Sequence, residues 1–240
     1  MAYAAKNAIN KLIAVSFTLS ELPTGDDIKH IEVLDTFAEK ILAIVDDFPY
    51  LTIPDTPAFQ RDKDLKVVEY LVKQVPINGT VIEIGSAFGG NAQFMLNVAP
   101  HIGSMVCIDP DWKTDQNIII KQEWTQWIRD GFNIKDGTTS FEYASKLLAP
   151  YPQAKLYPLF SPQECEWWTG TVDMIFEDAN HESETLRQNI EFWYPFVKTG
   201  GIISGHDYND PNVSSEIIKI AEELKLELNV ESTVWWMIKK

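Results

Sequence analysis

Residues 80–92 read TVIEIGSAFGGNA. Val81, Ile82 and Ile84 form a short apolar run of the kind that becomes a buried strand. Gly85, Gly89 and Gly90 then turn the chain into a helix. Glu83 stands inside the apolar run, where an unpaired carboxylate is expensive to bury. The partner that makes its burial tolerable decides what this fold is for.

Further runs of the same kind follow. The stretches TVIEIG, GSMVCID, AKLYPLF, TVDMIFED and GGIISGHD suit five buried parallel strands. SETLRQNIEFWYPFV and SSEIIKIAEELK are amphipathic helices between or after them, and Leu65, Val68, Leu71 and Val72 suit a helix before the first strand. The final stretch, LELNVESTVWWMIKK, can supply two more strands. The alternation predicts an α/β fold with a doubly wound, mostly parallel, seven-stranded sheet over residues 61–240. Residues 1–60 read as an N-terminal helical annex, with Ile28, Ile31, Leu34, Ile41 and Val45 at helical spacing and FPYLTIPDTPAF as a loop behind them. The long connection after the second strand holds two expected helices, QEWTQWIRDGF and SFEYASKLLAPY. In the first, Trp124 and Trp127 share a face; they either pack that helix on the body or form an aromatic lid.

Composition narrows the function classes. Of 240 residues, 45% are hydrophobic and 23% charged, an ordinary soluble balance. A net charge of −15 disfavours nucleic acid and anionic membranes as partners, although it also serves solubility alone. Cys107 and Cys165 suggest neither a disulfide framework nor a zinc site. The first residues lack a secretory h-region, and no apolar stretch is long enough to span a bilayer, so a cytoplasmic enzyme is expected. Its partner is expected to be a small-molecule acceptor, with self-association into a homo-oligomer left open.

In an open α/β sheet, ligands bind beyond the carboxyl ends of the strands. Four expected strands end there in polar groups: Glu83 and the glycines, Asp109, then Glu177, Asp178, Asn180 and His181, and finally His206, Asp207 and Tyr208. A dinucleotide fingerprint would read G-x-G-x-x-G. Here the glycines read G-S-A-F-G-G, without the second fingerprint glycine and with Phe88 crowding the loop. A carboxylate two residues before the first glycine suits a cationic amine rather than a pyrophosphate. A cofactor with a ribose, an adenine and an ammonium group fits better.

The E-x-G-x-x-x-G turn followed by VCIDP resembles the class I S-adenosylmethionine-dependent methyltransferases. The stretch FEDANHESETLRQNIEFWYPFVKTGGIISGHDYNDPNV resembles the branch of macrocin-type O-methyltransferases and cephalosporin-hydroxylase-like proteins. The resemblance covers residues 61–240. It implies that Glu83 meets the amino group of S-adenosylmethionine, that Gly85, Ser86 and Gly89 form the cofactor turn, and that Asp109 accepts from the ribose hydroxyls. Ser161 is either an adenine-side contact or a helix cap for SPQECEWW.

Methyl transfer needs an electron-rich nucleophile. A sugar-type hydroxyl, with pKa about 15–16, benefits from a metal that lowers it, whereas one histidine can serve a phenol as general base. Asp178, His206 and Asp207 are the candidate metal ligands and, with His181, the candidate catalytic residues. Oxygen-rich sites favour magnesium. His206 stands where the resembling branch often has an acid, which moves the preference towards ions that accept imidazole, or leaves His181 or His206 as a metal-free base. The expected activity is methylation of a small-molecule hydroxyl on a sugar or natural product. A nucleotide-dependent oxidoreductase and a catalytically silent binding protein are the alternatives.

Overall fold

The structure is a computed structural model and describes residues 62–113 and 138–240. The expected annex, the loop over residues 48–59 and the helix carrying Trp124 and Trp127 lie outside the described residues. Helix α1 (Asp62–Val72) leads into β1 (Thr80–Ile84), α2 (Gly90–Val98) and β2 (Ser104–Ile108). After α3 (Ser140–Leu148) come β3 (Ala154–Tyr157), β4 (Val172–Glu177) and α4 (Ser183–Trp193). The chain continues through β5 (Val197–Gly205), α5 (Pro211–Leu224), β6 (Asn229–Glu231) and β7 (Val234–Ile238).

The seven strands form one sheet in the order β3-β2-β1-β4-β5-β7-β6. The first five are parallel; β7 runs antiparallel to β5, and β6 antiparallel to β7. Alternate strand positions feed two cores. Val81, Met105, Cys107, Met174 and Phe176 pack with α1, α2 and α3, whereas Ile82, Ile84, Val106, Ile175 and Ile203 pack with α4 and α5. Period-two alternation within mostly apolar strands is what a sheet covered on both faces requires, and it holds for the inner strands, whereas β3 at the edge is only half-buried. The chain winds outward in both directions from β1 and β4, so the switch point falls between them, and their carboxyl ends open onto one edge.

Several element ends differ from the sequence reading for local reasons. Helix α4 stops at Trp193, because Pro195 cannot continue the hydrogen-bond ladder; Tyr194–Phe196 make one 3₁₀ turn and Val197 already begins β5. Helix α5 starts at Pro211, in the position where proline is best tolerated, and the Asp210 side chain caps it by accepting from the Asn212 N–H. Strand β3 ends at Tyr157, before Pro158, and SPQECEWW forms turns rather than a helix. Helix α3 opens on a capping box between Thr139 and Glu142.

Candidate active site

Glu83 lies near the end of β1, on the face covered by α2, and is 1% exposed. Asn91, in the first turn of α2, donates from Nδ2 to Glu83 Oε1 at 2.9 Å. The other oxygen, Oε2, has no hydrogen-bond partner among the described residues, and neither does Ser86 Oγ in the turn that follows. Burial pushes the Glu83 carboxyl up to about 8, and the Asp178 and Asp109 carboxylates add to the shift. Ser86 lies near enough to moderate that shift, yet outside hydrogen-bond geometry. A cation is the partner that would both satisfy Oε2 and restore its charge.

Asp109 follows β2 and holds the glycine turn from the other side. Its Oδ2 accepts from the Ala87 N–H at 2.7 Å and its Oδ1 from the Asp111 N–H at 2.8 Å. Trp112 Nε1 donates to the Ala87 carbonyl at 2.7 Å, so Ala87, at φ 45°, is held through both of its backbone polar groups. Burial raises the Asp109 carboxyl to about 6 although these backbone bonds oppose the shift. Each carboxylate oxygen keeps a further lone pair for a ligand hydroxyl. Gly85 (φ 89°) and Gly89 (φ 77°) both sit in the left-handed region. Each also has a reason within the chain: a Cβ would meet the Asp178 carbonyl at Gly85, and Leu148 and Ala144 of α3 at Gly89.

At the neighbouring strand ends, Asp178, His206 and Asp207 each offer a ligand atom, and these atoms all lie within 4.8 Å of one another. His206 Nδ1 is 3.5 Å from Asp178 Oδ1 and 3.3 Å from Asp207 Oδ1. Burial alone would lower the His206 pKa, but the Asp178, Asp207 and Asp64 carboxylates outweigh it and raise the pKa well above the ordinary value. His181, half-exposed, faces Asp207 through Nε2 at 2.8 Å and Asp210 through Nδ1 at 3.2 Å. Four carboxylates (Asp64, Asp178, Asp207 and Asp210) therefore surround two imidazole rings. Negative charge stays in excess even with both rings protonated, which suits a cation. Two further groups lie close by. Asp64, in the first turn of α1, and Thr233, between β6 and β7, both reach His206. Nothing local in the sequence marks them, since an acid in a first helical turn and a threonine in a hairpin are commonplace.

Ser161 is drawn into neither group; its hydroxyl accepts from Trp193 Nε1 at 2.9 Å. Glu177, at the end of β4, is buried on the opposite face from Glu83 and accepts from Asn189 Nδ2 at 3.2 Å. Burial raises its carboxyl to about 8. An acid whose folded pKa is raised contributes stability that is full below its unfolded value, about 4.3, and is lost as pH rises through the folded one. Glu177→Gln is therefore expected to lose less thermal stability than the wild type between pH 5 and pH 9. Calorimetric melting at the two pH values checks it, and equal losses would refute it.

This fold and this line of carboxylates define a class: residues 82–208 match a family model described as a methyltransferase domain, and the chain belongs to that family. Its fold is that of the class I S-adenosylmethionine-dependent methyltransferases. No curated protein matches the chain. Among solved structures, a candidate caffeoyl-CoA O-methyltransferase from Staphylococcus aureus is similar at 17% identity and TM-score 0.53, covering 97% of this chain and 100% of its own. A candidate methyltransferase from Streptococcus mutans, solved in complex with SAH, is similar at 10% identity and TM-score 0.53, covering 76% of this chain and 100% of its own. The O-methyltransferase NovP is similar at 16% identity and TM-score 0.53, covering 75% of this chain and 81% of its own. Likenesses at this level of identity concern the fold.

Proposed function

We propose that this methyltransferase moves a methyl group from S-adenosylmethionine to a hydroxyl of a small molecule, with a divalent cation at Asp178, His206 and Asp207. The observation that carries the reading is the buried, unpartnered Oε2 of Glu83 beside a three-ligand cluster on the adjacent strand ends. Both fit the groups in question: one oxygen lacks a cationic partner, and one cluster carries excess negative charge. The O-methyltransferase names of two fold relatives point the same way. The net charge of −15 argues against a nucleic-acid acceptor, although an rRNA methylase from Streptococcus thermophilus shares the fold. No helix among the described residues is long and apolar enough to cross a membrane. Cys107 and Cys165 are buried free thiols, in keeping with a reducing cytoplasm.

The cofactor, when bound, supplies the activated methyl group. The chain's task is to place and prepare the reactants. Glu83 takes the ammonium group, and Asp109 takes ribose hydroxyls on its remaining lone pairs. Asp178, His206 and Asp207 would hold the cation, which would there supply the Lewis acidity that favours an ionised acceptor hydroxyl. In a metal-free version His206 makes a poor base, because its carboxylate neighbours hold its proton. His181, on the solvent side of Asp207, is the histidine left for that task.

Incubation with labelled S-adenosylmethionine and a panel of hydroxylated metabolites tests the reading. Turnover is expected to stop with a chelator and to return with magnesium or manganese, while S-adenosylhomocysteine binding persists throughout. Turnover that survives chelation but collapses in His181→Ala would favour the metal-free base. Tight NAD binding with no response to S-adenosylhomocysteine would end the methyltransferase reading.

A further inference from the structure

His206 is held by a buried chain of hydrogen bonds that runs away from the ligand cluster. Asp64 is fully buried, and its Oδ1 accepts from the Thr233 N–H at 3.0 Å and from Thr233 Oγ1 at 2.8 Å. Thr233 Oγ1 lies 2.9 Å from His206 Nε2, and Asp64 Oδ2 lies 3.5 Å from the same nitrogen. The polarity of the chain follows from its donors. An ionised carboxylate only accepts, so the single Thr233 hydroxyl proton goes to Asp64. The Thr233 oxygen must then accept from His206, so Nε2 carries a hydrogen. In a neutral ring the lone pair therefore resides on Nδ1, which faces Asp178 and Asp207. The backbone of His206 is fixed as well. Its N–H donates to the Glu177 carbonyl at 3.1 Å, and its carbonyl accepts from Trp235 Nε1 at 3.0 Å.

We infer that Asp64 and Thr233 are positioning residues that fix the tautomer and orientation of His206, so that Nδ1 is presented with Asp178 and Asp207 to a divalent cation. The inference rests on the cation reading proposed above. It adds two residues, from α1 and from the turn between β6 and β7, that touch neither cation nor substrate. Outer hydrogen-bond partners of a metal-bound histidine commonly set metal affinity by about 10- to 100-fold.

Cobalt(II) serves as the probe, because its visible spectrum reports nitrogen ligation and its titration needs no turnover. With the full chain, one cobalt site is expected. Thr233→Val, which keeps the shape and removes the hydroxyl, should weaken it about 10- to 100-fold, and Asp64→Asn should act in the same direction. Thr233→Ser should restore near wild-type affinity. S-adenosylhomocysteine binding, measured by calorimetry on the same samples, should stay unchanged, which also shows that the variants are folded. If Thr233→Val loses S-adenosylhomocysteine binding as well, Asp64→Asn and Thr233→Ser decide. Wild-type cobalt affinity in both Thr233→Val and Asp64→Asn would overturn the positioning role and leave the cation reading standing. Failure of the wild type to bind cobalt or manganese would overturn the cation reading, and this inference with it.

Discussion

S-adenosylhomocysteine is expected to bind about tenfold more tightly at pH 7 than at pH 6, and to release about one proton per molecule bound. Burial holds the Glu83 carboxyl near 8 in the free protein, so at neutral pH the group is mostly protonated and neutral. On the assignment proposed above, the positively charged amino group of the ligand would bring Glu83 back to its ionised form. Each pH unit below 8 then costs about 1.4 kcal/mol, the work of removing that proton. The gain should level off above pH 8, where Glu83 is already ionised. Asp109, raised to about 6, should steepen the loss at lower pH. Calorimetry in two buffers of different ionisation enthalpy counts the protons directly. Glu83→Gln keeps an acceptor for Asn91 but cannot ionise. It should flatten the pH dependence and weaken binding at pH 8 by about 1–3 kcal/mol, the scale of a hydrogen bond to a charged group. Wild-type binding without proton release, and with no slope between pH 6 and pH 8, would show that Glu83 does not meet the ammonium.

Gly85→Ala is expected to lower the melting temperature by about 10 °C. Gly85 has φ 89°, and a Cβ there would lie 2.3 Å from the Asp178 carbonyl oxygen and 2.6 Å from the Ala179 Cα. Both obstacles are backbone, and the backbone is tied down. Gly85 N–H donates to the Ile108 carbonyl at 2.8 Å, and Asp178 N–H donates to the Ile84 carbonyl at 2.8 Å. The left-handed conformation costs an alanine about 1–2 kcal/mol, and forced overpacking adds about 1–3. For a chain of this size each kcal/mol moves the melting temperature by about 2–4 °C. Gly89→Ala should do less. Its Cβ would meet only side chains, Leu148 Cδ1 at 3.1 Å and the Ala144 Cβ at 3.3 Å, and the leucine can turn aside. Since the obstacle at Gly85 is Asp178 itself, cobalt affinity should fall along with stability. A Gly85→Ala protein that melts with the wild type would refute the account.

Much of this is legible in the sequence, because the relevant signals are local. Four of the five apolar runs read as buried strands, β1, β2, β4 and the second half of β5, whose residues are covered on both faces and need no polar alternation; AKLYPLF gives β3, which lies at the sheet edge and is only half-buried. The acids at the strand ends stood out because an open sheet puts its ligands there. The misplaced boundaries came from proline: Pro195 ends α4 early, Pro211 starts α5 early, and Pro158 follows the end of β3. Asp64 and Thr233 were not legible, because their significance lies in a contact between residues 169 positions apart. No periodicity or motif encodes that contact. It arises because β7 runs against β5, which brings the β6–β7 turn to the edge where the parallel strands end.

That antiparallel return also means that the last residues of the candidate site are the last to be synthesised. A nascent chain that has emerged only as far as α5 already contains β1 to β5, the glycine turn, Glu83, Asp109, Asp178 and Asp207. It holds every strand of the parallel part of the sheet and the residues proposed to meet the cofactor. It has no Thr233 to receive the His206 ring, no partner for Asp64 in that turn, and no Trp235 to pack over Gly205 and bond to the His206 carbonyl. On the assignment proposed above, ribosome-stalled chains ending before residue 233 are expected to bind S-adenosylhomocysteine before they can hold His206 in place, which happens only when the last hairpin closes.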